Sequence, residues 1–200
     1  MSIATLAQPL TQIEPQPRRF TREEFYQMLD LGFFQDQRVQ LIEGEIVQMA
    51  SQTNHHAASI QLSRDALVAA FGPGFWVRVQ MSLDLTPWSV PDPDVAVVPG
   101  SPKGCSNDNP TTALLVVEVS ITTLRFDRGQ KASLYARAGI QDYWLLNLVD
   151  RELEVYRNPV VDATKPYGYG YADETILKAQ DFATPLAAPQ ACIRVDDLLP

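Results

Sequence analysis

The run Ala113-Leu-Leu-Val-Val-Glu-Val-Ser120 constrains the fold more than any other part of this chain. An aliphatic segment of this length, bounded by polar loops, reads as a strand covered on both faces, as in a sheet with helices packed on each side. Period-two alternation places Leu114, Val116, Glu118 and Ser120 on one face. Glu118 is therefore set inside an apolar strand, where an ionised carboxylate is costly unless a cation meets it. A salt bridge to an arginine at the core edge and a metal site are both open readings.

Other segments supply the rest of such a sheet. Thr21-Arg-Glu-Glu24 has the capping-box pattern, with Phe25, Met28 and Leu29 behind it, and predicts a short helix over 21–30. Runs at 38–43 and 45–49 flank Gly44 and read as a hairpin. Residues 54–71 predict a longer helix, stopped by Gly72-Pro73-Gly74. From Phe75 to Leu85 the chain is rich in β-formers, and Met81, Leu83 and Leu85 alternate with Ser82 and Asp84, predicting a half-buried strand. Asp94 to Val98 follows as another strand.

Asp127 is expected to cap a helix running to about Ala138, where Gly139 ends it. Two strands follow, at 143–146 and 153–156, and then a β elaboration ending at Ile193 to Val195. The expected class is α/β (α+β): a mixed central β-sheet flanked by helices. One domain is expected over 20–200, with a further loose tail over 1–19.

Charge bears on function. The net charge is −8 and the pI about 4.7, which gives no general attraction to nucleic acid, because non-specific binding comes from Lys and Arg neutralising phosphates. A nuclease of this composition must rely on a local basic surface and bound metal. No stretch approaches the roughly 18 apolar residues that span a membrane. The N-terminal residues lack the pattern of a secretory signal, and Cys105 and Cys192 have neither metal-ligand nor redox spacing. A cytoplasmic protein is expected.

Four residues are candidates for chemistry. Asp94 opens its strand after Pro91-Asp92-Pro93, and Glu118 lies on the next strand across one polar loop. Carboxylates on neighbouring strands repel unless one is protonated or a divalent cation lies between them, and hard cations such as Mg²⁺ take such oxygen ligands. Asp94 could equally be a turn residue bonded to nearby backbone. Lys131 leads an inward stripe with Leu134, Tyr135 and Ala138; it could snorkel to solvent, or reach back toward Glu118 and stabilise charge developing in a transition state. Glu43 precedes Gly44 and reads as a turn residue or a further acid of the site.

Several segments together carry a resemblance: Gln40-Leu-Ile-Glu-Gly-Glu-Ile46, Pro93-Asp-Val95, Val116-Val-Glu-Val-Ser120, and above all Asp127-Arg-Gly-Gln-Lys-Ala-Ser-Leu-Tyr-Ala-Arg-Ala-Gly-Ile-Gln-Asp-Tyr-Trp144. Over roughly 20–156 the chain resembles the Uma-type restriction endonuclease family, which is similar in fold to PD-(D/E)XK nucleases. The resemblance implies metal-dependent phosphodiester hydrolysis, with Mg²⁺ (or Mn²⁺) as cofactor and nucleic acid, DNA foremost, as partner.

Carried over by position, Asp94 and Glu118 match the two metal-binding acids, Glu43 the additional acid, and the Val119 carbonyl a further metal ligand. Ser120 stands where the general fold keeps a lysine, so Lys131 is its expected replacement from the following helix. His56 falls where the family often has a histidine, with His55 an alternative in the alignment. Arg125 and Arg128 are the leading candidates for phosphate contacts, ahead of Arg78 and Arg137. The rival reading is a nuclease-fold protein without turnover, acting as a binding or regulatory homodimer.

Overall fold

The computed structural model describes residues 16–104 and 108–200; most of the expected tail, and Cys105, lie outside the described residues. Its centre is the strand expected from the aliphatic run, β5 (Leu115–Ser120), buried at every residue. The chain reaches it through α1 (Arg22–Asp30), the hairpin β1 (Val39–Ile42) and β2 (Glu45–Gln48), α2 (Asn54–Phe71), β3 (Phe75–Val79) and β4 (Val95–Pro99). After β5 come α3 (Leu124–Phe126), a π-helical turn (Asp127–Lys131), α4 (Ala132–Arg137), β6 (Asp142–Asn147), β7 (Glu152–Val161), β8 (Tyr169–Lys178), and the short β9 (Phe182–Ala183) and β10 (Ile193–Arg194).

Six strands form one mixed sheet in the order β3-β4-β5-β6-β7-β8. Only β5 and β6 run parallel, with Glu118 opposite Leu145; every other pair is antiparallel. A parallel pair needs a crossover, and the helical stretch 124–137 provides it. This is the mixed, helix-flanked sheet the sequence predicts.

Alternation along β5 divides the core. Leu115, Val117 and Val119 pack with Ile60, Leu67 and Phe71 of α2 and with the C-terminal Ile193, Val195 and Leu198. Val116 points the other way, to Ala132 and Tyr135 of the crossover and to Tyr143 and Tyr156 of the sheet. Glu118, in phase with Val116, therefore faces the crossover helix.

Local signals explain the ends of the elements. Thr21 accepts from the Glu24 amide while Glu24 reaches back to the Thr21 amide, the full capping box. The hairpin turns on Glu43 and Gly44, both at positive φ (49° and 83°), as a two-residue turn of this hand requires.

Two expectations are corrected. The strand from Phe75 stops at Val79, because Gln80 adopts φ 51° and turns the chain out of the sheet. Leu83 is still fully buried, held in a loop by its amide bond to the Pro91 carbonyl, so the alternation over 81–85 marks a packed loop. Asp127 does not cap the start of the helix either. The helix starts three residues earlier at Leu124, and Asp127 opens the π-helical turn, its carbonyl accepting from the Ala132 amide.

Candidate active site

Asp94 directly precedes β4, and Glu118 lies in the middle of β5, its neighbour in the sheet. Both line a cleft of about 90 Å³, together with His56 from the start of α2, Gln40 from β1, Asp92, Val119, Asp127 and Lys131. The structure thus brings Asp94, Glu118, Val119, Lys131 and His56 to one place from four separate parts of the chain.

Lys131 does not snorkel. It is 2% exposed, and its Nζ donates to Glu118 Oε1 at 2.8 Å. The Tyr135 hydroxyl, one turn further along, donates to the same oxygen at 2.5 Å. Lys131 and Tyr135 are four residues apart and so share a helix face, and the wide π-helical turn before them buries Asp127 and Lys131 together, a distortion frequent at functional sites. Burial pushes the Glu118 carboxyl up to about 7, with Lys131 only partly opposing it. For Lys131, burial favours the neutral amine, but Glu118, Asp127 and Asp94 outweigh it and hold the ammonium protonated.

Asp94 is anchored differently. Its Oδ2 accepts from the Val119 amide at 2.9 Å and its Oδ1 from Gln80 Nε2 at 3.1 Å. His56 Nε2 lies 2.7 Å from the Val119 carbonyl and 3.3 Å from Asp94 Oδ2. Burial alone would raise the Asp94 carboxyl and lower the imidazole; their mutual attraction reverses both, so Asp94 is held below its ordinary value and His56 above it. Asp92 and Asp127 are raised by burial. Thr123 donates to Asp127 Oδ2 at 2.6 Å, and Ser120 pairs with Thr123 at 3.0 Å.

Glu43 is not brought into this cleft. Its Oε1 accepts from Ser89 and its Oε2 from Arg137 at 2.5 Å, because the turn after β1 aims it at α4. The arginines sort similarly. Arg128 forms a two-pronged pair with buried Glu154, Arg137 holds Glu43, and Arg78 is buried over Trp76, donating to Ser82 and Asn109. Arg125 is exposed. His55 lies outside the cleft, on a neighbouring depression with Arg151.

Sequence reasoning missed Gln40, Asp92 and Asp127 as cleft residues. Gln40 did carry a signal: a polar residue set between the apolar Val39 and Leu41 of a strand.

Oxygen donors dominate the cleft: the Asp94 and Glu118 carboxylates and the Val119 carbonyl, with the His56 nitrogen beside them. That set suits a hard divalent cation. The imidazole N–H already stands between Asp94 and the Val119 carbonyl, marking a position that favours positive charge. Among the described residues, no three His, Cys, Asp or Glu side chains converge as a metal-ligating group.

The fold is shared with the crystal structure of a nuclease, described as putative and belonging to DUF820, from Anabaena variabilis. The TM-score is 0.64 at 15% identity, covering 90% of this chain and 97% of the other. The family described as Uma2, "Putative restriction endonuclease", matches residues 22–191, and the chain belongs to that family. No curated protein matches it.

Proposed function

We propose that the chain is a divalent-metal-dependent nuclease that hydrolyses phosphodiester bonds at the Asp94–Glu118 cleft. The observation that carries this reading is the buried Lys131–Glu118 pair at 2.8 Å beside Asp94, on adjacent strands of a sheet whose family is described as restriction endonuclease. Asp94, Glu118 and the Val119 carbonyl would hold the ion, Mg²⁺ or Mn²⁺, with His56 next to it. Such an ion polarises a phosphodiester and lowers the pKa of a bound water.

The chain's own groups do the rest. Asp94, kept ionised, supplies fixed negative charge for the ion. Lys131 and Tyr135 hold Glu118 Oε1 in place, and the Lys131 ammonium would supply positive charge to offset the negative charge that accumulates in the transition state. The expected substrate is nucleic acid, DNA foremost, with Arg125 as a phosphate contact.

One observation favours the rival binding homodimer: Arg78, Arg128 and Arg137, three of the four arginines expected to contact phosphate, are each bonded to groups of the protein itself. Labelled single- and double-stranded DNA and RNA, incubated with Mg²⁺, Mn²⁺ or EDTA, decide between the two. Metal-dependent cutting by the native chain, lost in Glu118→Ala and Lys131→Ala, is expected. Cutting that survives Glu118→Ala sinks the assignment, and no cutting of any substrate shifts the reading to the homodimer, which light scattering would test.

A further inference from the structure

Gln40 sits in β1 between Val39 and Leu41 and is 2% exposed. A buried amide is costly unless both ends are bonded. Its Nε2 donates to the Asp92 carbonyl at 3.4 Å, whereas its Oε1, buried, has no hydrogen-bond partner among the described residues. The orientation is not arbitrary: flipping the amide would set its oxygen against the Asp92 carbonyl oxygen and forfeit that bond.

The surroundings say what such an oxygen is for. Gln40 lines the same cleft as Asp92, Asp94, Glu118 and Asp127, four carboxyl groups faced, among the described residues, by Arg38, Lys131 and the His56 ring. The cleft has an excess of acid and a volume of about 90 Å³, room for several waters or a hydrated ion. Side-chain amide oxygens are ordinary ligands for hard divalent cations, directly or through water.

We infer that the Gln40 amide oxygen is a neutral ligand, direct or through one water, of the divalent cation held by Asp94 and Glu118. This rests on the metal-dependent reading above and adds a residue to it. The neutral amide adds a donor without a further negative charge in a cleft already rich in acids, and the cation satisfies the one buried acceptor that β1 leaves unbonded there.

The test is calorimetric titration of Mn²⁺ into the full chain without nucleic acid, comparing the native protein with Gln40→Leu, Gln40→Glu and Asp94→Ala. Circular dichroism melts accompany each variant. Gln40→Leu is expected to weaken Mn²⁺ binding about tenfold, on the scale at which losing one supporting group lowers metal affinity. Gln40→Glu, which keeps the shape and adds charge, is expected to tighten it by a similar factor. Two variants with opposite expected signs keep the test decisive should one of them fold poorly.

Native binding lost in Asp94→Ala but equal in both Gln40 variants would overturn the Gln40 assignment and leave the metal-dependent reading standing. No Mn²⁺ binding by the native chain would overturn both.

Discussion

Replacing Glu118 with glutamine changes one proton-binding group and little shape, and its effect on stability against pH follows from the geometry. Glu118 is fully enclosed, and burial raises its carboxyl from an ordinary 4.5 to about 7. The folded protein therefore holds this proton more tightly than the unfolded chain does. A group raised in this way contributes stability that is complete below about 4.5 and is lost as pH rises through about 7. At about 1.36 kcal/mol per unit, the full loss is about 3 kcal/mol. The portion between pH 5.5 and 8.5, a range clear of the pI near 4.7, is about 2 kcal/mol.

Glu118→Gln lacks this titration. Its amide oxygen can still accept from Lys131 and Tyr135, and the Lys131 ammonium keeps the attraction of Asp127 and Asp94. The stability of the variant relative to native should therefore rise by about 2 kcal/mol from pH 5.5 to 8.5, whatever its offset at the lower pH. Urea unfolding of both proteins across this range measures the difference. A gap constant to within about 0.5 kcal/mol would show that the folded protein does not hold the Glu118 proton more tightly than the unfolded chain does.

Arg128→Ala should cost about 1–3 kcal/mol in urea unfolding, because Glu154, 1% exposed at its side chain, loses its two-pronged partner; unchanged stability would return Arg128 to the pool of free phosphate contacts. Gly44→Ala should destabilise by about 1–2 kcal/mol, since the turn needs positive φ there and a Cβ would meet the Arg19 Cβ at 2.5 Å; a melting temperature equal to native would contradict that turn.

Where sequence reasoning failed, the failures share a cause. The alternation of Met81, Leu83 and Leu85 is the pattern of a strand, yet Leu83 is buried from a loop, because burial depends on what packs over a residue and not on its backbone class. Asp127 has the chemistry of a cap, but the helix begins earlier at Thr123 and Leu124, and the Thr123 hydroxyl donates to Asp127 instead of capping that start. Glu43 and Gln40 both belong to the quoted hairpin motif. The acid was the natural choice for a charged site, but it takes Ser89 and Arg137, while the neutral residue three positions earlier faces the cleft.

The sequence by itself determined the elements and the acids on them. Hydrophobic period, the capping box at Thr21 and the glycine after Glu43 act over a few residues, through sterics and local hydrogen bonds, and can be read without knowing the fold. An acid inside an aliphatic strand announced a special environment at Glu118 for the same reason. The tertiary structure alone decided who meets whom: Lys131 and Tyr135 on one oxygen of Glu118, His56 between Asp94 and the Val119 carbonyl, Gln40 in the cleft and Glu43 out of it. These meetings depend on β1 docking beside Val90 and on the crossover helix lying over β5. Partner choice among charged groups is set by such long-range packing, since many pairings are electrostatically acceptable and only the fold places one pair within reach.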